Sequence, residues 1–265
     1  MMRLEGKVVL VPGTARGRGR AAALRFAAEG ALVVGGDLLH EEAVETRRLI
    51  AREGGTALTP GPLDVTDEEA VRAWAEEAVD AFGGIDVVYA DADAPRRGAT
   101  GGRPHTDFAD TTPAGLHPVR LTVRAAWPHL VRSRGCVVTV GSTAGPAGSP
   151  AHRRTARSAA KGAVVALTRR LAAEGAPHGV RVNCVRPGST DTEGSQGGPL
   201  AGEHPRSDVR GHVPRGRPGH FDDFLDAAVF LASAEASHLT GADLVVDGGW
   251  STVLPGAPNR KAMHT

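Results

Sequence analysis

Aromatic residues, cysteines and long apolar runs are all scarce in this chain of 265 residues. Aromatic side chains make up 4% of it, so a steroid-like pocket lined by aromatic rings has no positive support. The two cysteines, Cys136 and Cys184, sit in apolar runs without metal-site spacing, which predicts buried free thiols in a reducing compartment. No run approaches the roughly 20 apolar residues of a membrane span, and the start has no signal-peptide pattern. We therefore expect a cytoplasmic protein.

An excess of charge of either sign is missing as well. Lys and Arg number 31 against 30 Asp and Glu, so neither nucleic acid nor a membrane surface is an expected partner. Hydrophobic residues at 41% and charged residues at 23% are ordinary values for a globular protein. We find no internal repeat and no flexible linker, so the sequence predicts a single domain over residues 1–265.

Short apolar runs alternate with longer amphipathic ones, which is typical of β-α-β units and a parallel sheet. The predicted strands are 8–11, 32–35, 57–60, 86–90, 137–140, 181–185 and 244–246. The predicted helices are 20–29, 41–52, 68–82, 161–174 and 224–232. The sequence therefore predicts an α/β fold, a Rossmann-type doubly wound parallel sheet between two helical layers.

Two long segments break this rhythm, at 96–112 and 193–220, and both are rich in Gly, Pro and His. Both would follow strands at their carboxyl ends, where open α/β sheets bind ligands. Loops of this length in a compact domain are usually functional or disordered. We interpret 193–220 as a substrate lid, with disorder as the alternative, and 251–265 as a tail.

A glycine-rich loop, Gly13-Thr14-Ala15-Arg16-Gly17-Arg18-Gly19, follows the first predicted strand and precedes a helix. This setting, with an acidic residue at the end of the second strand, is that of a dinucleotide site. Gly13 supplies the tight turn, Gly17 lets the backbone approach a pyrophosphate, and Gly19 permits close helix packing. The helix N-terminus then attracts the phosphates through its free N–H groups.

Asp37 follows the second strand, where the adenosine ribose is expected. A carboxylate there accepts hydrogen bonds from both ribose hydroxyls and repels a 2′-phosphate, which favours NAD over NADP. Arg16 is the competing feature, because an arginine in the glycine loop is suited to meet a phosphate. The alternative interpretation of Asp37 is a solvated turn residue.

With these segments the chain resembles the short-chain dehydrogenase/reductase family over nearly its whole length. Further similar segments are 161–168, 181–188, 239–243 and 246–249. The resemblance implies that 63–66 brackets the adenine and that the segment after the sixth strand holds the nicotinamide carboxamide. The residues expected to contact the cofactor are Gly13, Thr14, Arg16, Gly17, Arg18, Gly19, Asp37, Leu38, Asp64, Val65, Ala90, Ala92, Lys161, Pro187, Gly188, Thr190 and Thr192.

The resemblance also implies a catalytic set of Asn, Ser, Tyr and Lys, in which the tyrosine exchanges the substrate proton and the lysine lowers the tyrosine pKa. Ser142 matches the serine, with a turn-capping hydroxyl as the alternative, and Lys161 matches the lysine. One helical turn before Lys161, where the tyrosine is expected, stands Arg157. Arginine does not exchange protons near neutral pH. The predicted catalytic residues are therefore Ser142, Lys161 and Arg157.

Counting forward from the serine gives no tyrosine either. The family interval from Ser142 reaches Thr155, which indicates a two-residue insertion within 151–156. The only tyrosine of the chain is Tyr89, in the fourth predicted strand.

Other family positions depart too. The helix asparagine aligns with Gly115, and His117 and Pro118 are expected to disturb that helix. The family's Asn-Asn-Ala-Gly turn has become Ala90-Asp91-Ala92-Asp93, and the two carboxylates near the cofactor path are expected to weaken binding.

Three functions stay open. The first is an atypical NAD-dependent oxidoreductase for a small alcohol or carbonyl compound, with water, His152, His117 or Asp93 in place of the tyrosine. The second is a non-redox cyclase, lyase, isomerase or epoxide-type enzyme, in which Ser142, Arg157 and Lys161 stabilise an anion. The third is a catalytically inactive NAD-binding protein. The resemblance further implies a homodimer or homotetramer, formed through 116–130, 161–174 and the last strand.

Overall fold

Seven parallel strands form one sheet in the computed structural model, which describes residues 2–91, 106–143, 155–190 and 213–252. The strands are β1 (Val8–Pro12), β2 (Leu32–Gly36), β3 (Thr56–Leu58), β4 (Val87–Ala90), β5 (Cys136–Val140), β6 (Arg181–Pro187) and β7 (Asp243–Val246). Their order across the sheet is β3-β2-β1-β4-β5-β6-β7. All seven predicted strands are confirmed, since strands buried on both faces read as short apolar runs.

Six helices cover this sheet within the described ranges. They are α1 (Gly17–Ala28), α2 (His40–Arg52), α3 (Glu68–Phe82), α4 (Thr106–Ser133), α5 (Thr155–Gly175) and α6 (Phe221–Ala232). In that part of the chain, no helix has the length and apolar character needed to cross a bilayer. The predicted Rossmann-type architecture is confirmed.

Alternate side chains of each strand enter two separate cores. On one face, Val9 packs with Phe26 of α1. On the other face, Leu10 packs in a core that includes Trp74 of α3 and Val164 of α5. Burying one such side chain contributes roughly 1.5–3 kcal/mol, so both helical layers are held mainly by apolar contact. Cys136 and Cys184 are buried free thiols, as predicted.

The position of β1 decides where a ligand binds. β1 pairs with β2 on one side and with β4 on the other, so the strand order reverses between β1 and β4. The connections that leave these two strands run to opposite sides, which opens a crevice at their carboxyl ends. The glycine loop begins at the end of β1 and therefore lies in this crevice.

Helix α4 corrects two predictions. It begins at Thr106, so residues 106–112 of the expected loop are helical, while 92–105 lie outside the described residues. It also continues through Pro118 to Ser133, although we expected this proline to disturb it. Proline removes one backbone hydrogen bond, but Val119 and Leu121 beside it are buried in the core shared with α3 and α5. The packing outweighs the lost bond.

The predicted lid is described only at its end. Residues 193–212 lie outside the described part of the chain, and so does most of the predicted tail, from 253 onward. Gly219 forms an isolated parallel bridge with Thr190, and its N–H donates to the Ser189 carbonyl at 2.9 Å. The chain therefore returns at Gly219 to the point where β6 ended, and α6 begins two residues later.

Candidate functional site

The glycine loop has the conformation that its glycines predict. Gly13 and Gly17 have φ of 80° and 58°, in the left-handed region that favours glycine. A Cβ atom at Gly19 would overlap the carbonyl oxygen of Gly13. α1 begins at Gly17, three residues earlier than predicted, so the N–H groups of its first turn line the loop. The residues present therefore fit a bound pyrophosphate.

Two side chains that we did not predict brace this loop from behind. Arg20 donates from Nε to Thr46 Oγ1 at 2.9 Å and from its guanidinium to the Ala15 carbonyl oxygen. Thr46 Oγ1 in turn donates to the Thr14 carbonyl oxygen at 2.7 Å. The only sequence signal was a polar residue in the buried stripe of α2, which does not reveal its partner. These bonds hold the loop in its conformation without a ligand.

Asp37 ties the end of β2 to the glycine loop. Its Oδ2 accepts from the Ala15 N–H at 3.1 Å, and its Oδ1 accepts from the Leu39 N–H at 3.0 Å. The half-buried carboxylate thus links the end of β2 to the glycine loop, and its expected contact with the ribose stays a prediction. Each oxygen retains acceptor capacity for a further hydrogen bond. Leu38 is exposed beside it.

The turn expected at the adenine lies next to Asp37, because the Leu63 N–H donates to the Asp37 carbonyl oxygen at 3.0 Å. Asp64 Oδ1 accepts from the Thr66 backbone N–H at 2.8 Å and from its hydroxyl at 2.6 Å. These two bonds lower the pKa of Asp64. The turn that carries Asp64 and Val65 is therefore closed by two hydrogen bonds at this edge of the crevice.

Asp91, predicted as a carboxylate that would weaken cofactor binding, is paired with Arg18 of the glycine loop. Arg18 Nε lies 2.8 Å from Asp91 Oδ2, and the same guanidinium donates to Asp91 Oδ1 at 2.9 Å. Asp91 is therefore compensated by a cation, and its expected effect on cofactor binding stays a prediction. Ala90, just before it, is buried at the end of β4. Ala92 and Asp93 lie outside the described residues.

Lys161 lies next to the segment that carries Ser142. Its Nζ donates to the carbonyl oxygen of Val140, the last residue of β5, at 3.0 Å, and the residue is 1% exposed. Arg157 is half-buried on the same helix, one turn before Lys161. α5 thus brings Lys161 to the end of β5, where Ser142 follows two residues later.

The end of β6 lies next to the segment that carries Ser142. The Gly141 N–H donates to the Val185 carbonyl oxygen at 2.9 Å, and the Thr143 N–H donates to the Pro187 carbonyl oxygen at 3.2 Å. Gly188 follows and donates to Val246 at 3.0 Å. Of the remaining residues expected at the carboxamide, Thr190 is half-buried here and Thr192 lies outside the described residues.

Sequence reasoning also missed Arg186, whose side chain covers Gly141, directly before Ser142. A Cβ at Gly141 would lie 2.8 Å from Arg186 Cγ. Arg186 Nε donates to Asp243 Oδ1 of β7 at 2.6 Å, and both side chains are largely buried. The ion pair holds the Arg186 side chain against Gly141, next to Ser142.

The single tyrosine does not join this group. Tyr89 is fully buried in the core on the α1 and α6 face of the sheet, and its ring meets Phe26 edge-on at a centroid distance of 5.4 Å. Lys161 belongs to α5, which covers the opposite face. Burial raises the pKa of the Tyr89 hydroxyl well above its usual range, and the negative charge of Asp91 adds to this.

Gly115, which we aligned with the family asparagine, lies where α4 and α5 approach closely. A Cβ atom at this position would lie 2.9 Å from the Cβ of Ala160, the residue before Lys161. A larger side chain at 115 would push the two helices apart. The glycine therefore contributes to the position of α5 at the site.

The comparisons with known proteins agree with this geometry. Residues 13–251 match a protein family described as enoyl-(acyl carrier protein) reductase. The chain is 33% identical to the 3-oxoacyl-(acyl-carrier-protein) reductase of Thermotoga maritima, over 94% of this chain and 99% of that protein. It is 33% identical to the meso-2,3-butanediol dehydrogenase of Serratia marcescens, over 97% and 99% of the two chains.

A solved structure gives the same result. A short-chain type dehydrogenase/reductase from Mycobacterium marinum superimposes with a TM-score of 0.86 at 33% identity, covering 94% of this chain and 97% of that one. Sequence, fold and the arrangement of the crevice thus agree, and the chain belongs to the short-chain dehydrogenase/reductase family.

Proposed function

We propose that the chain is an oxidoreductase that uses NAD to interconvert a small alcohol and its carbonyl compound. Family membership implies a nicotinamide dinucleotide, NAD or NADP. The observation that carries the proposal is that Lys161 bonds to Val140, beside Ser142, at the same sheet edge as the glycine loop. The names of the two relatives describe a ketone reductase and an alcohol dehydrogenase, which supports the substrate class.

The described residues suit each part of the cofactor. The first-turn N–H groups of α1 would bind the pyrophosphate, and Asp37 would accept hydrogen bonds from the ribose hydroxyls. Pro187, Gly188 and Thr190 would meet the carboxamide. When bound, the nicotinamide ring supplies or accepts the hydride. The Asp37 carboxylate disfavours a 2′-phosphate, which supports NAD, whereas the exposed Arg16 supports NADP.

The proposed chemistry differs from that of the family in its proton donor. Ser142 would hydrogen-bond the substrate oxygen, and Lys161 would provide a fixed positive charge. Arg157 would take the place of the tyrosine and stabilise a negative charge that develops on that oxygen. Since arginine keeps its proton near neutral pH, the proton of the alcohol would come from water or from His117 of α4, which is exposed. His152 and Asp93, the other candidates, lie outside the described residues.

The first test is cofactor binding followed by turnover. Calorimetry with NAD and with NADP measures affinity, and absorbance of the reduced cofactor measures turnover on a panel of small alcohols and ketones. The Arg157→Tyr variant restores a proton-exchanging group, so we expect its turnover to rise by about tenfold or more. Arg157→Lys is the matched control, because it retains a cation without adding a phenol. Binding without turnover in the wild type and in Arg157→Tyr would contradict the oxidoreductase assignment and favour the inactive NAD-binding protein.

A second candidate is a non-redox enzyme on the same scaffold. It is supported by the position of Tyr89 on the sheet face opposite α5. The predicted catalytic groups near the end of β5 are then the Ser142 hydroxyl and the cations of Lys161 and Arg157. Such groups stabilise an enolate or alkoxide without exchanging a proton. A substrate converted equally fast with and without added NAD would favour this candidate.

We also propose assembly into a homodimer or homotetramer through α4, α5 and β7. β7 is an edge strand whose Leu244 is 37% exposed, and a partner subunit would cover it. Light scattering during gel filtration gives the number of subunits, and a monomeric mass at micromolar concentration would contradict the proposal.

A further inference from the structure

The Arg18–Asp91 ion pair links the ends of the two strands between which the strand order reverses. Arg18 lies in the first turn of α1, directly after β1, and Asp91 directly follows β4. β1 and β4 are the two neighbouring strands between which the strand order reverses. With distances of 2.8 and 2.9 Å, both carboxylate oxygens meet the guanidinium. The pair thus connects the two walls between which a dinucleotide binds in this architecture.

The carboxylate of Asp91 is buried. Its side chain is 1% exposed, whereas that of Arg18 is 21% exposed. Among the described residues, neither Asp91 Oδ2 nor the buried Tyr89 hydroxyl has a hydrogen-bond partner, so the Arg18 guanidinium is the charged contact of Asp91 Oδ2. A buried carboxylate without a paired cation is strongly unfavourable. Arg18 is therefore the group that compensates Asp91.

The same carboxylate bears on ligand binding. Arg18 belongs to the helix turn whose N–H groups would bind the pyrophosphate, and its partner Asp91 lies close to that turn. An uncompensated carboxylate at that distance would repel the phosphates through a medium of low dielectric constant. When Arg18 neutralises Asp91, the positive end of the α1 dipole is the main electrostatic influence on the phosphates.

We propose that Arg18 is a positioning residue for the dinucleotide: it neutralises Asp91, so that the phosphates meet helix N–H groups and no bare carboxylate. The inference rests on the proposed function, because it concerns the site where that function places the cofactor. It differs from the family pattern, in which this turn carries an asparagine where Asp91 stands here.

A second ion pair gives a matched control. Lys7 Nζ contacts Asp86 Oδ1 at 2.9 Å and links the amino ends of the same two strands, β1 and β4. This pair lies at the opposite edge of the sheet, and the Lys7 side chain is 52% exposed. Removing it tests whether any link between β1 and β4 affects binding at the crevice.

The experiment is a double-mutant cycle on binding, measured by calorimetry with NAD and with ADP-ribose, which lacks the nicotinamide. We expect Arg18→Met to weaken both ligands by about tenfold or more, because Asp91 is left uncompensated. Asp91→Asn and the double variant Arg18→Met/Asp91→Asn should each bind within about threefold of wild type. Arg18→Lys, which retains the charge but loses the two-point contact, should bind more tightly than Arg18→Met, and Lys7→Met should bind like wild type.

Each other result overturns the inference. A double variant as weak as Arg18→Met would mean that neutralising Asp91 is not what Arg18 does, and so would an Arg18→Lys variant as weak as Arg18→Met. Unchanged binding in Arg18→Met would overturn it directly. If Arg18→Met does not fold, the double variant and Arg18→Lys still decide the question. A wild-type chain that binds neither dinucleotide overturns the proposed function and this inference together, whereas wild-type binding with an additive cycle overturns this inference alone.

Discussion

The ammonium group of Lys161 is held 3.0 Å from the carbonyl oxygen of Val140, so the buried lysine of α5 is anchored to the last residue of β5. This bond connects the helix that carries Arg157 to the strand that leads into Ser142. It positions a cation beside the segment that carries Ser142.

Replacing Lys161 with Met should remove activity. The variant retains the length of the side chain but loses the charge, and the buried Val140 carbonyl oxygen loses its donor. We expect turnover to fall by about a hundredfold or more. The measurement is the rate of cofactor reduction on the best alcohol of the panel. Lys161→Arg is the control with retained charge; activity of Lys161→Met within threefold of wild type would contradict the proposed role.

The cofactor preference should depend on Asp37. The Asp37→Asn variant retains an acceptor for the Ala15 N–H but removes the negative charge from the ribose end of the crevice. We expect NAD affinity to fall by about tenfold and NADP affinity to rise, so that the ratio of the two dissociation constants changes by about a hundredfold. Calorimetry with both cofactors gives this ratio.

Arg16 provides the control for that prediction. In the Asp37→Asn background, Arg16→Ala should lower NADP affinity and leave NAD affinity nearly unchanged, because only NADP carries a 2′-phosphate on the adenosine ribose. An unchanged ratio in Asp37→Asn would show that Asp37 does not select the cofactor.

Gly19→Ala should destabilise the fold at the glycine loop. A methyl group at this position overlaps the Gly13 carbonyl oxygen, so the backbone of α1 or of the loop has to move. We expect the free energy of unfolding to fall by about 2 kcal/mol or more. Urea denaturation of the chain without cofactor measures the change. Gly61→Ala is the matched control, because its Cβ would meet no atom within 4 Å, and its stability should lie within about 0.5 kcal/mol of wild type. Equal stability of the two variants would contradict the close packing of Gly19.

Stability should decline in acid through Glu29. Its carboxylate contacts Arg3 at 2.6 Å and Arg25 at 2.7 Å, and hydrogen bonding from Arg3 foremost lowers the pKa of Glu29 to about 2. Because the folded-state pKa lies below the unfolded value, near 4.5, this stabilisation is complete above pH 4.5. It is lost progressively as the pH falls towards 2.

The Glu29→Gln variant tests this pH dependence. We expect it to unfold more easily at pH 7, by about 1–2 kcal/mol, and to match wild type near pH 2. Thermal or urea unfolding between pH 2 and 7 measures the difference. Glu77→Gln, at an exposed position of α3, is the control and should follow wild type throughout. A constant difference between Glu29→Gln and wild type at every pH would refute the assignment of the pKa to Glu29.

Local sequence patterns were sufficient for the seven strands, for five of the six described helices and for the glycine loop. The strands were predictable because a parallel sheet buries both faces of each strand, which leaves an uninterrupted apolar run. Gly13, Gly17 and Gly19 were predictable because their backbone conformation and close packing admit no side chain. The path of α4 through Pro118 was not, since its stability comes from packing against helices distant in sequence.

The sequence by itself determined the order of the strands along the chain and the glycine loop after β1. It also determined that Lys161 is present while no tyrosine stands one helical turn before it. Only the tertiary structure decided that Arg18 pairs with Asp91, that Arg20 and Thr46 brace the loop, and that Tyr89 faces the opposite core. The reason is physical: partners such as Arg18 and Asp91 are separated by 73 residues. They meet only when β1 and β4 align side by side, and the register of the sheet is a property of the whole packed chain.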